Sequence, residues 1–302
     1  MRFQFKTIQI ILALLLVSSL ADAEFDGTLR AEMGKDQIEV WAGKQLVTAY
    51  KFSDEQKYPY FWPVNGLASG ESVTTESTEP YPHHHSLFFG CDRVNGGNYW
   101  QESNKRGQIL SQGPKVVSAK DNQVVIEDDC LWKQPKQDAV MADHRRITVS
   151  VASPTQYFID FEITLEPLVD IKIEKTNHSL FSARMVPELS VESGGVLVNA
   201  AGDSAEDGTF GVASPWCDYT GTRDGVKEGL AIFQNPENPW YPAKWFTRNY
   251  GFFSPTPMYW PEGDHTAMAK GEKTTLKYRV VVHSGDVSAE EVGTLFGEYT
   301  RK

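Results

Sequence analysis

Between residues 147 and 165 the chain alternates with little interruption. Ile147, Val149 and Val151 enclose Thr148 and Ser150, and Tyr157, Ile159, Phe161, Ile163 and Leu165 enclose Asp160, Glu162 and Thr164. A period of two puts successive side chains on opposite faces of an extended strand, so these runs predict an antiparallel sheet with one face on a core and the other in water. Pro154-Thr155 between them predicts a hairpin turn. Shorter apolar runs recur at 38–41, 46–52, 87–91, 124–126, 196–198, 230–233 and 276–283, separated by clusters of Gly, Pro, Asn and Asp. Many short strands with few helical stretches predict an all-β, antiparallel β-sandwich. One segment reads as helix. Ser288 and Glu291 form a capping box, and Val292, Leu295 and Phe296 give the apolar stripe of a short C-terminal helix.

No internal repeat or low-complexity linker divides the chain, so residues 24–302 are expected to form one β-sandwich domain. Residues 53–83 and 201–227 lack strand pattern, and long irregular segments in compact domains are usually functional loops. Residues 1–23 read as a signal peptide: Arg2 and Lys6 precede an apolar run from Ile8 to Leu20, and Ala21-Asp22-Ala23 supplies a small-x-small cleavage site. The expected destination is secreted or periplasmic. The apolar run is too short to span a bilayer, and no later stretch reaches the length of a membrane helix.

A formal net charge of −11 argues against nucleic acid or an anionic membrane surface as a partner, because both repel an acidic chain. An acidic sugar stays open, since a local Arg can overrule the overall field. Three cysteines, Cys91, Cys130 and Cys217, match no zinc spacing. An oxidising compartment permits one disulfide, for which Cys91–Cys130 is a candidate, and leaves at least one small buried thiol. No cofactor is expected.

Three clusters could carry chemistry. In Pro82-His83-His84-His85-Ser86, a strand geometry would place His83 and His85 on one face and His84 on the other. Two imidazoles at that spacing can grip a metal, or one can serve as acid or base near neutral pH. In Trp216-Cys217-Asp218-Tyr219-Thr220-Gly221 an indole beside a carboxylate suits a sugar, the ring packing on C–H faces and the acid accepting from hydroxyls. The bland alternative has Trp216 in the core and Asp218 holding a turn. The third cluster, from Asn235 through Asn238, Pro239, Trp240 and Trp245 to Arg248, Asn249 and Tyr250, is stiffened by Pro236, Pro239 and Pro242. Arg248 can hold a carboxylate bidentately, unless an internal Asp or Glu claims it, and Arg184 is a second such cation. Asn177-His178-Ser179 is a glycosylation sequon that matters only in a glycosylating host.

In this order the clusters resemble the PmoA-like family of exported proteins. The shared elements are Pro82-His83-His84 with Ser86, Asn95-Gly96-Gly97-Asn98-Tyr99-Trp100, Trp216 to Gly221, and Pro236-Glu237-Asn238-Pro239 with Trp245 and Arg248-Asn249-Tyr250-Gly251. His85 stands where most members are expected to carry Arg. The family's name, methane oxygenase, does not suit a chain without hydrophobic spans. The resemblance implies a sandwich similar to galactose mutarotase and a setting in polysaccharide degradation. It does not fix a reaction.

The leading expectation is therefore a carbohydrate-active enzyme working on an oligosaccharide, with acidic sugar favoured. Its chemistry would be proton transfer in an elimination, epimerisation or hydrolysis. His83 or His84 would be the acid or base and Asp218 the partner. His85, Arg184, Trp216, Tyr219, Asn238, Trp245, Arg248 and Tyr250 would bind substrate. The alternatives are a non-catalytic carbohydrate-binding protein and, from another class, a metal protein built on His83 and His85.

Overall fold

The computed structural model describes residues 27–101 and 103–301. The expected signal segment falls outside them. Two antiparallel sheets face each other, an eleven-stranded first sheet and a nine-stranded second sheet. The first runs through Leu29–Met33, Gln37–Ala42, Gln45–Lys51, Tyr60–Val64, Leu87–Val94, Ser179–Arg184, Phe252–Pro255 and Trp245–Thr247. The second runs through Val196–Asn199, Trp216–Arg223, Val226–Gln234, Thr274–Ser284, Gln156–Pro167, Met141–Ser153, Gln123–Lys133 and Gln108–Ser111. The all-β sandwich expected from the sequence is what the chain forms.

The alternating run builds the centre of the second sheet. Met141–Ser153 and Gln156–Pro167 pair as a hairpin across the Pro154-Thr155 turn, with Ile147 opposite Phe161. Their apolar faces meet the first sheet. Phe181 stacks on Phe161 at 4.9 Å and on Tyr278 at 4.8 Å, so one ring of the first sheet bridges two strands of the second. Such offset stacks add about 0.5–1.5 kcal/mol each to what burial alone contributes. The C-terminal helix Ala289–Thr300 carries both halves of its capping box, Ser288 and Glu291, and lies on the outer face of the second sheet, where Val292 joins Trp216, Ala231, Phe233 and Val281.

Three local expectations change. Residues 201–227 hold a short helix, Ala205–Thr209, and the strand Trp216–Arg223, while 53–83 contains the strand Tyr60–Val64. Cys91, Cys130 and Cys217 are all free and buried; no bridge joins Cys91 to Cys130. Burial holds all three thiols protonated, well above their usual range. The histidine run is not strand. The first-sheet strand begins only at Leu87, and Ser86 has a left-handed φ of 59°, so the period-two assignment of faces does not apply to residues 83–85.

Candidate active site on the outer face of the first sheet

Because Phe181 points at the second sheet, its strand neighbours Ser182 and Arg184 belong to the opposite, outer face. The same reasoning puts Phe252 outside and Phe253, which packs on core Tyr219 and Trp245, inside. On this outer face lies a half-open cleft of about 220 Å³, lined by Tyr81, His83, His84, Gln101, Asn177, His178, Phe246, Arg248, Tyr250 and Phe252.

The turn that replaces the expected strand aims the imidazoles. Tyr58 Oη donates to the His83 carbonyl at 2.8 Å, and the His84 amide closes a turn onto the Tyr81 carbonyl at 3.1 Å. His83 and His84 consequently share the cleft, their ring centroids 4.4 Å apart. His84 is buried against Phe252 at 4.4 Å and Tyr81 at 5.3 Å. His85 turns away from them: its Nδ1 lies 2.9 Å from the Glu76 carbonyl and its ring stacks on Tyr60. The His83–His85 pair expected on one face is therefore replaced by His83–His84. Among the described residues, no group of three His, Cys, Asp or Glu side chains is placed to hold a metal ion.

His178 lines the same cleft beside His83, its ring centroid 6.1 Å from that of His83 and nearly perpendicular to it. The Asp92 amide donates to the His178 carbonyl at 3.1 Å, which sets the two side chains next to each other. His178 Nδ1 lies 2.9 Å from Asp92 Oδ2. An ionised carboxylate only accepts, so Nδ1 carries the hydrogen and Nε2 is left as the basic nitrogen. Asn98 Oδ1 accepts from the backbone amides of Trp100 and Gln101 at 3.0 and 2.9 Å and folds that segment over the same pair. This brings the Gln101 side-chain Nε2 to 3.2 Å from His178 Nδ1, close to that nitrogen without a hydrogen bond, since its hydrogen goes to Asp92.

Electrostatics keep the first imidazoles neutral. Burial, then repulsion from His178 and His85, lowers His83 to about 4. Burial, then repulsion from His83, Arg184 and others, lowers His84 to about 2. Burial lowers His85 as well. A neutral imidazole at working pH can accept a proton without first losing one.

The other wall is aromatic and cationic. Tyr250 stacks on Tyr81 at 4.9 Å, and burial pushes its phenol up to about 12, so it stays protonated. Arg248 lies 4.0 Å over Phe246 and gives one nitrogen, Nη1, to Glu206 Oε1 and the Thr247 carbonyl. Arg184 does not line the cleft. It sits 4.2 Å over the Tyr250 ring, buried, with Nε and Nη1 unpartnered, and burial lowers its pKa.

The remaining expected residues lie elsewhere. Cys217 and Tyr219 face the core, so Trp216, Asp218 and Thr220 face outward from the second sheet, under the C-terminal helix. There Asp218 accepts from His283 Nε2 and from Thr220 Oγ1, each at 2.9 Å, and Trp216 is buried. The partnership of Asp218 with His83 or His84 does not form, and the sugar platform expected of Trp216 is covered. Trp245 is core, donating Nε1 to the Ser214 carbonyl at 2.8 Å, and its neighbour Phe246 takes the place at the cleft. Asn238 splices its loop onto Lys277, accepting from its amide at 2.8 Å and donating to its carbonyl at 2.9 Å. Tyr219 reaches from the core to the Asn249 carbonyl at 2.8 Å and so supports the Arg248–Tyr250 turn from below. Sequence reasoning missed Asp92, Gln101 and His178. The one signal was His178 itself, an imidazole beside the strand that carries Arg184.

Fold and cleft together define a two-sheet β-sandwich with a histidine-lined cleft on one outer face. The chain belongs to a family of unknown function, DUF6807, whose model matches residues 37–297. No curated protein matches it. Among solved structures it is similar to galactose 1-epimerase from Lactobacillus acidophilus, at 9% identity over 86% of this chain and 99% of that one, with a TM-score of 0.43. It is also similar to the GalM/aldose epimerase homologue from C. elegans (9% identity, 86% and 99% covered, TM-score 0.32). A third is the GH36 α-galactosidase AgaA from Geobacillus stearothermophilus (9% identity, 86% and 41% covered, TM-score 0.38). At these scores the likenesses carry no argument about the chemistry of this chain.

Proposed function

We propose that the protein is an exported carbohydrate-active enzyme that moves a proton on an oligosaccharide, with acidic sugar as the favoured substrate. The observation that carries this reading is the pair of imidazoles lining one cleft: His83, held neutral, and beside it His178, oriented by Asp92. His178 Nε2 can take a proton from a sugar carbon or hydroxyl, and the imidazolium so formed can return it to the sugar or give it to a leaving oxygen. The Asp92–His178 pair has the logic of a carboxylate that fixes a tautomer and steadies the imidazolium formed on proton uptake. Tyr81 and Tyr250, both partly exposed, give the cleft an apolar lining for sugar C–H groups. Arg248, which keeps nitrogens beyond the one given to Glu206 and Thr247, can meet a sugar carboxylate and stabilise an enolate developing from it. Arg184, charged and short of partners behind Tyr250, strengthens the positive field on that wall.

Export rests on the signal-peptide pattern of residues 1–23 and PmoA-like membership on the four sequence elements quoted above. The test is incubation with a panel of neutral and uronic-acid oligosaccharides, read by mass spectrometry, with NMR to catch an isomerisation that leaves mass unchanged. Turnover that disappears in His178→Ala supports the reading. Binding without turnover, unaffected by His83→Ala and His178→Ala, would make the protein a carbohydrate-binding module instead.

A further inference from the structure

The aromatic wall of the cleft does not stop at the cleft. Phe246 touches Phe210, with ring centroids 5.4 Å apart, and Phe210 is an exposed large hydrophobic residue, 37% accessible. Phe210 in turn lies 5.9 Å from Trp260, and Tyr259 joins Phe246 to Trp260 by a second route, at 6.0 and 4.8 Å. Trp260 also lines another groove, of about 380 Å³, together with Trp240, three prolines and the polar Glu262, His265 and Thr266. Both tryptophans are only partly buried.

Aromatic rings left partly in water cost free energy unless an apolar face covers them, and an unbroken ring-to-ring series leading out of a cleft is not required by the core. The large rings that hold the sheets together, such as Trp132 and Trp245, are fully buried. The groove is too polar at its rim for a lipid or an apolar helix. Indole faces flanked by a carboxylate, an imidazole and a hydroxyl match a pyranose ring, whose C–H face is apolar and whose edge is all hydroxyl.

We infer that the Trp240–Trp260 groove is a second sugar-binding subsite, joined to the histidine cleft through Phe210, so that the ligand is an oligosaccharide long enough to span both. This rests on the carbohydrate reading above and deepens it. Cations accompany the track: Lys175 Nζ lies 5.3 Å over Tyr259 and Lys244 Nζ 5.9 Å over Trp260.

The test is a length ladder of neutral and uronic-acid oligosaccharides, from mono- to hexasaccharide, titrated calorimetrically into wild type, Trp260→Ala, Trp240→Ala and Trp260→Tyr. Wild type is expected to bind long members at least about tenfold more tightly than short ones. Either Ala variant should lose that gain, and Trp260→Tyr should recover most of it. Phe210→Ala, at the partly exposed ring between the two sites, should reduce the gain as well. Affinity independent of length in wild type, or a length gain that survives in both Ala variants, overturns the subsite while leaving the cleft reading standing. If wild type binds no member of the ladder, the carbohydrate reading fails and the subsite fails with it.

Discussion

Besides the exposed histidine–carboxylate contacts at His144 and His265, two less exposed pairs have the same length and opposite circumstance. His178–Asp92 and His283–Asp218 each span 2.9 Å. The first lies on the outer face of the first sheet, at the wall of an open cleft, with His83 beside it. The second lies on the outer face of the second sheet, sealed beneath the C-terminal helix, with Thr220 as the third partner and His283 Nδ1 buried without one. The distance within the pair is the same, although His178 uses Nδ1 and His283 uses Nε2, so a histidine–carboxylate contact alone does not make a reactive centre. What differs is the covering. No substrate can reach an imidazole under a helix, whereas one at a cleft wall has a free nitrogen and room beside it.

That contrast can be broken or sharpened by substitution. The largest effect is expected from His178→Ala, which should lower turnover by about 10²–10⁴-fold, the usual worth of a positioned acid or base. His283→Ala should leave turnover per folded molecule unchanged, and steady-state kinetics on the responsive glycan checks both. Next is Asp218→Ala, which leaves the buried His283 Nε2 without an acceptor and should cost about 1–3 kcal/mol of stability, seen as a lower Tm. Asp92→Ala should cost less stability, because the half-buried His178 can turn to water, and should cost more activity. Arg248→Gln should then raise KM for uronic-acid substrates about tenfold and leave neutral glycans nearly unaffected, since only the former offers a carboxylate.

The last prediction concerns pH and is read in stability, not in turnover at neutral pH. His83 and His84 have folded-state values of about 4 and about 2 against an ordinary 6.5. Below pH 6.5 the unfolded chain takes up protons that the folded one refuses, so stability falls as pH drops through this window. His84→Phe removes one of these groups and should flatten the fall, measured as Tm between about pH 7 and about pH 4.

Much of the fold could be read in advance because its signals are local. The alternation from 147 to 165 and the Ser288–Glu291 capping box each involve neighbours in sequence, and both appear as expected. The histidine run was legible as a cluster, yet its faces were not, because the turn ending at Ser86 breaks the strand period. Asp218 was misplaced for a related reason. Its strand is buried on both sides, by the core at Cys217 and Tyr219 and by the helix at Trp216, so polarity along it does not say which side meets a ligand. Asp92 and His178 were invisible as a pair. They meet through the register that sets Ser179 opposite Cys91, a long-range pairing with no local signature.

The most direct test of the cleft is an NMR titration that resolves all seven histidine side chains while the responsive oligosaccharide is added. The account predicts that the imidazole signals of His83, His84 and His178 move together with saturation, while those of His283 and the distant His144 stay fixed. Shifts at His283 or His144, with His83 and His178 silent, would contradict it.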